Sequence, residues 1–262
     1  MGLVCLVVSA RAVYRQQRQH LDGGQGFQHG GAHGSRRQGG VGVRQEDRIG
    51  IGSGPTLRAC GYTPAPQDGR FREPTDVAFD SAGNIYVTDG YINSRVAKYD
   101  YNGDWVKSWG EPGTNPGQFR LPHSIAIDKD DNVYVGDRSN ARIQVFDTDG
   151  NYLREFRVAI PVRPGSTAVN GSTPTDLTEI SANGAPNSLC IPPGSDVIFV
   201  GDTTFPGRII KATLQGEVLG VIGNSGRNLG EFSGAHGLAC PSEEVLYVAE
   251  TSNSRAQKLI LE

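Results

Sequence analysis

A chain of 262 residues has room for one large all-β domain or two ordinary ones, and its 36 glycines and 15 prolines suit turn-rich β architecture. The formal charge of −3 hides an asymmetry: residues 1–70 hold nine arginines, no lysine and four acids, so residues 71–262 carry −8. That acidic body argues against a nucleic-acid partner, because a phosphate backbone calls for a basic stripe. Four cysteines (Cys5, Cys60, Cys190, Cys240) form no CxxC pair, which argues against zinc-finger and thiol-redox classes and leaves their pairing open.

Along the chain, "MGLVCLVVSARA" is a short apolar run ending in an A-x-A-like Ala10-Arg11-Ala12. Residues 1–12 read as a weak signal peptide, weak because no basic residue precedes the apolar stretch. This leaves the compartment open, with an extracellular or periplasmic one slightly favoured. Neither this run nor any later segment is long and apolar enough for a membrane-spanning helix. Residues 13–66 are rich in Gly, Gln and Arg and lack both the period-2 and the period-3.6 pattern. Such a stretch buries too little apolar surface to offset its ordering entropy. Residues 1–70 are therefore expected to be a low-complexity or disordered segment, or a mis-assigned start. His29 and His33 lie in it without any ligand pattern. "GGAHG" around His33 echoes "SGAHG" around His236, but no strand follows.

From Phe71 the register changes, and residues 71–262 read as a row of repeats. The first copy starts near Pro74 with "PTDVAFDSAGNIYVTDGYINSRVAKYDYNGDWVKSWG", and the second starts at Pro122 with "PHSIAIDKDDNVYVGDRSNARIQVF". A third runs from Pro186 and a fourth from Ala235, at spacings of 48, 64 and 49 residues. The long spacing carries the Pro/Gly/Ser/Thr-rich insertion "IPVRPGSTAVNGSTPTDLTEISANG", a surface loop by composition. Short alternating β runs separated by Asn-Gly and Gly-Asn turns predict four-stranded antiparallel units. A period in the forties with several strands per unit predicts a β-propeller, since one such sheet cannot bury both faces without neighbours. The fourth copy stops after its third strand.

The frame P-x-x-I/V-A-x-D…N-I/V-Y-V-x-D-x-x-N-x-R resembles the NHL repeat over essentially all of residues 71–262. Within that class, "PTDVAFD…YVTDGYINSRVAKYD" with "PGQFRLPHSIAID…DRSNARIQVF" is similar to the lyases that convert peptidyl-α-hydroxyglycine to an amidated peptide and glyoxylate. The resemblance implies an all-β, six-bladed propeller, of which this chain supplies the last four blades as an incomplete ring. It also implies an axial zinc held by three histidines. Thr75, His123, Asn187 and His236 occupy one equivalent position, immediately before the first strand of each copy. Alternate blades of a six-bladed ring stand about 120° apart, so His123 and His236 are expected to be metal ligands, leaving a coordination position open for substrate. The third ligand would fall on a blade before Thr75 and is not identifiable in the sequence.

Tyr91 and Arg138 break the repeat consensus beside the Asp-x-x-Asn-x-Arg turn, Tyr91 through one extra residue and Arg138 where other copies have Gly90, Thr203 and Thr251. By the resemblance they are the catalytic tyrosine and a substrate-binding arginine: a tyrosinate favoured by neighbouring cations takes the hydroxyl proton, and the guanidinium holds the carboxylate. The repeated Asp, Asn and Arg groups read as structural, tying turns by side-chain-to-backbone bonds. The chain also departs from the family. Ile92, Tyr134 and Val145 stand where its disulfides need cysteines, and Gly237 stands where an acid helps bind calcium. Two function classes follow: a metal-assisted lyase acting on a peptide or small hydroxylated substrate, or a non-catalytic scaffold binding a protein on its loop face. Either is expected to be monomeric. A lactonase-like propeller built around calcium is a weaker third.

Overall fold

The Asx turns of the sequence become the hairpins of a row of small sheets. In the computed structural model, which describes residues 66–160, 185–202 and 207–262, the first sheet joins β1 (Asp76–Phe79), β2 (Ile85–Asp89), β3 (Arg95–Tyr99) and β4 (Trp105–Trp109) in sequential antiparallel order. Asp80 closes the β1–β2 hairpin by accepting the amide of Asn84, and Asp100 closes β3–β4 by accepting those of Asn102 and Asp104. Asp128 and Asp147 repeat both devices in the next copy, so the chain reverses where a carboxylate captures its own backbone.

The second sheet is β5 (Pro122–Ile127), β6 (Val133–Asp137), β7 (Arg142–Phe146) and β8 (Tyr152–Phe156). The third is β9 (Pro186–Cys190), β10 (Val197–Asp202), β11 (Ile209–Thr213) and β12 (Val218–Ile222). A two-residue parallel pair, β13 (Asn224–Ser225) and β14 (Glu231–Phe232), precedes a three-stranded sheet of β15 (Ala235–Ser242), β16 (Val245–Glu250) and β17 (Arg255–Ile260). The leading strands β1, β5, β9 and β15 lie side by side in that order, so the sheets are four consecutive blades of a β-propeller. Residues 1–65 of the expected N-terminal segment 1–70, and all of the insertion after Ile160 (residues 161–184), fall outside the described residues. Among those described, no helix is long and apolar enough to cross a membrane.

Burial explains why apolar residues occur on both parities of the second strands. Every residue of β6, β7 and β10 is buried, because each face meets a neighbouring blade. One core joins blades one and two around Tyr86, Phe119, Val135 and Phe146; another joins two and three around Tyr134, Ile143, Ile198 and Ile210; a third joins three and four around Phe199, Phe232, Leu246 and Val248. In blade four only one parity is buried, and Tyr247 (44 %) and Ile260 (64 %) remain exposed on its other face. A Cys190–Cys240 disulfide links β9 to β15 with 6.0 Å between α-carbons, which resolves for these two cysteines the pairing that spacing left open.

The repeated acid is an inter-blade lock. Asp89, Asp137, Asp202 and Glu250 end the second strands, each 5 % exposed or less, and each pairs with the arginine at or just before the start of the third strand (Arg95, Arg142, Arg208, Arg255) at 2.7–3.3 Å. The acid's other oxygen accepts a backbone amide just ahead of the blade's first strand, from Arg72, Arg120, Ala185 and Ser233 respectively. The arginines reach onward to carbonyls of the loop arriving from the preceding sheet, Arg142 to Thr114, Asn115 and Gln118. A buried charge so fully hydrogen-bonded fixes the path by which one repeat feeds the next.

Candidate functional site

A backbone irregularity common to three blades aims the side chains at the hub. Pro122 pairs with Asp137 and Ser124 with Gly136, which leaves His123 as an extra residue in the ladder. Asn187 is skipped likewise between Pro186 and Ser188, and His236 between Ala235 and Gly237. A β-bulge bends the strand and re-aims the unpaired residue, so the equivalent position found by repeat alignment is a bulge position. Thr75, ahead of β1, is used differently: its hydroxyl bonds Thr88 and the Pro122 carbonyl, joining blade one to blade two.

His123 and His236 meet. Their ring centroids are 4.8 Å apart at an interplanar angle of 77°, although a whole blade lies between the strands that carry them. His123 is buried at 2 % exposure, whereas His236 is open to solvent. Tyr91 reaches them from blade one, with its hydroxyl 3.2 Å from His123 Nε2 and its ring edge-on to the imidazole. Gly90 lets it come so close: a Cβ there would lie 2.0 Å from the Pro122 carbonyl oxygen, so a side chain would push the loop off blade two. Arg138, opening the turn Arg138–Asn140 after β6, sets its guanidinium carbon 5.8 Å from the centre of the Tyr91 ring. It donates from Nη1 to Asn187 Oδ1 at 2.8 Å. All four residues singled out by sequence therefore share one recess, to which every blade contributes.

Both imidazoles are held neutral. Burial, then the Arg138 charge, then His236 push the His123 pKa down to about 3 against the hydrogen bond His123 gives to the Asn187 carbonyl, which raises it. His236 is lowered too, first by loss of water around the ring and then by Arg138. Its solvent-facing edge does not cancel the effect, because the other sides are walled by protein. Neutral rings are the state a metal ion requires of histidine. Among the described residues no group of three His, Cys, Asp or Glu side chains stands together as a metal cage, and within them the two histidines stand as a pair. Sequence reasoning passed over Asn187 as a filler between histidines. Its place at the same repeat position as His123 and His236 was the available signal.

Comparison with known proteins bears on the repeats. The NHL repeat family matches residues 71–99 and 119–146. The propeller carries NHL repeats in these two stretches. It is 36% identical over 150 residues to the peptidyl-glycine alpha-amidating monooxygenase A of Xenopus laevis, covering 50% of this chain and 16% of that protein. It is 42% identical over 103 residues to the peptidylglycine alpha-amidating monooxygenase of Rattus norvegicus, covering 37% and 11%. It is 38% identical over 61 residues to the peptidyl-alpha-hydroxyglycine alpha-amidating lyase 1 of Drosophila melanogaster, covering 23% and 11%. The chain matches less than a fifth of the length of each of these relatives. The propeller described here resembles the amidating lyases in repeat sequence.

Proposed function

We propose that this NHL propeller is a metal-assisted lyase that cleaves the C–N bond of a carbinolamide, with a peptidyl-α-hydroxyglycine or a similar small hydroxylated amide as substrate. The observation that carries the reading is the meeting of His123, His236, Tyr91 and Arg138 in one recess, drawn from three blades. The histidine pair suits zinc: both rings are neutral, and His123 turns Nε2 toward the recess while Nδ1 is engaged elsewhere. His123 and His236 would hold the ion, which supplies Lewis acidity toward a substrate hydroxyl. Calcium has less support, since Gly237 offers no carboxylate beside His236.

The chain's own residues account for the rest. Once Tyr91 has given its own hydroxyl proton to solvent, its oxygen receives the proton of the α-hydroxyl. The freed electron pair forms the aldehyde C=O, the C–N bond breaks, and the departing amide nitrogen takes a proton, which Tyr91 returns. Atoms balance without oxidant or water, giving an amide and glyoxylate. Arg138 keeps guanidinium N–H groups beyond the one given to Asn187, and these pair with the substrate carboxylate.

The experiment is to supply the full chain with zinc and a chromophoric peptidyl-α-hydroxyglycine, and to measure bound metal and released glyoxylate. The expected result is about one zinc per chain and glyoxylate release, both lost in His123→Ala. A metal-free protein that releases no glyoxylate would overturn the reading in favour of a binding scaffold on the propeller's loop face.

A further inference from the structure

We infer that Asn187 is a positioning residue of the hub, setting the ring state of His123 through its backbone carbonyl and the direction of Arg138 through its side chain. The catalytic consequence rests on the lyase reading; the positioning itself does not.

The chemistry of the partners removes the usual ambiguities. His123 Nδ1 lies 2.7 Å from the Asn187 carbonyl oxygen. A carbonyl only accepts, so Nδ1 carries the proton, and a neutral imidazole then has its lone pair on Nε2. That nitrogen faces the recess, with the Tyr91 hydroxyl donating to it. The arrangement is the one that fixes a ligating histidine in place, with its remote N–H given to a carbonyl. On the side chain, a guanidinium only donates, so Oδ1 faces Arg138. Nδ2 is thereby turned to the Ala235 carbonyl at 3.1 Å, on the residue just before His236.

Asn187 is 1 % exposed and touches blade two and blade four at once. A donor-only partner on one end and an acceptor-only partner on the other require an amide, and the bulge requires this reach. Ala235 also accepts from the Ser188 hydroxyl at 3.0 Å. Removing the Asn187 side chain therefore leaves that carbonyl satisfied, and the loss falls on Arg138. The backbone bond to His123 survives any substitution. The two effects of Asn187 are thus separable.

The test uses metal-free, ¹⁵N-labelled full-length protein and reads imidazole tautomers and arginine side-chain signals by NMR. The wild type is expected to show the Nδ1–H tautomer of His123 and resolved Arg138 Nη–H signals from a guanidinium that does not rotate. Asn187→Ala should keep the tautomer and collapse the Arg138 signals to one averaged resonance. Asn187→Asp, which retains an acceptor for the guanidinium, should keep them resolved. If Asn187→Ala does not fold, averaged Arg138 signals in Asn187→Asp overturn the inference. So do unchanged Arg138 signals in a folded Asn187→Ala, or a mixture of His123 tautomers in the wild type. In the glyoxylate assay, kcat/KM is expected to fall about 10–100-fold in Asn187→Ala, with zinc affinity within about threefold of wild type. An inactive, zinc-free wild type with the NMR pattern intact would remove the lyase reading and leave the positioning role standing. An active wild type whose rate is unmoved by Asn187→Ala would do the reverse.

Discussion

The imidazoles of His123 and His236 stand edge to face, 4.8 Å between centroids, with only blade three's Asn187 between their strands around the hub. Neither ring is charged, and each lies opposite the other as a potential donor to a shared cation. Substituting either by alanine is expected to weaken zinc binding more than about 100-fold, beyond the range found for residues that only orient a ligand. Competition against a chelator of known affinity measures this, and equal affinities in wild type and variant would refute it.

Tyr91→Phe removes one hydroxyl and leaves the ring beside His123. Its expected effect is a fall of about 10²–10⁴ in kcat, the usual contribution of a positioned acid or base. Zinc content should not change. A variant that kept its rate would reduce Tyr91 to a packing residue 48 % exposed at the recess.

The buried locks and the surface ion pairs should part company under mutation. Arg142 is 3 % exposed and holds Asp137, at 0 %, together with three loop carbonyls. Arg142→Ala strands that carboxylate and is expected to cost about 3–5 kcal/mol. Lys129 pairs with Asp196 at 2.9 Å in the open, and Lys129→Ala is expected to leave stability nearly unchanged. Urea unfolding midpoints of the two variants make the comparison.

Cys190 and Cys240 close a loop of 50 residues between blades three and four. Replacing both by serine is expected to lower stability by about 2–4 kcal/mol. The same loss should follow treatment of the wild type with a reductant, read as a fall in thermal midpoint that the double variant does not share.

Asp76 ties β1 to β5, its carboxylate accepting the amides of Ile125 and Val77. Burial outweighs those bonds and raises its pKa from 3.8 to about 7, even though the residue keeps some surface toward the channel. Below pH about 4 both folded and unfolded states hold the proton, and no stability depends on it. Between about 4 and 7 only the folded state holds it, so stability falls as pH rises through that window and levels off above it. The expected loss is about 1–3 kcal/mol, less than the whole shift implies because the carboxyl is not sealed from water. Carboxyl-carbon NMR of Asp76 titrating near pH 4 instead of near 7 would contradict it.

How much was legible varies residue by residue. The blades were, because alternating runs between Asp-initiated turns specify hairpins locally, and β6 and β7 could be apolar on both faces only if sheets flank them. The lock was legible as a repeated Asp-x-x-Asn-x-Arg frame, though its partners were not. The arginine's targets lie 24–28 residues back along the chain, in a loop whose path no local pattern records. Tyr91 and Arg138 were legible as breaks in the repeat. Their approach to His123 depends on Gly90 leaning on Pro122, a contact between blades.

The order of residues by itself determined the repeat, its strands and the equivalence of Thr75, His123, Asn187 and His236, since these follow from period and turn chemistry. Only the tertiary structure decided that three of those positions are bulges facing one hub, that Cys190 pairs with Cys240, and that Asn187 joins His123, Arg138 and the strand of His236. The physical reason is that hydrogen-bond direction and the meeting of side chains across blades are set by how sheets stack around an axis, whereas periodicity reports only what each sheet does alone.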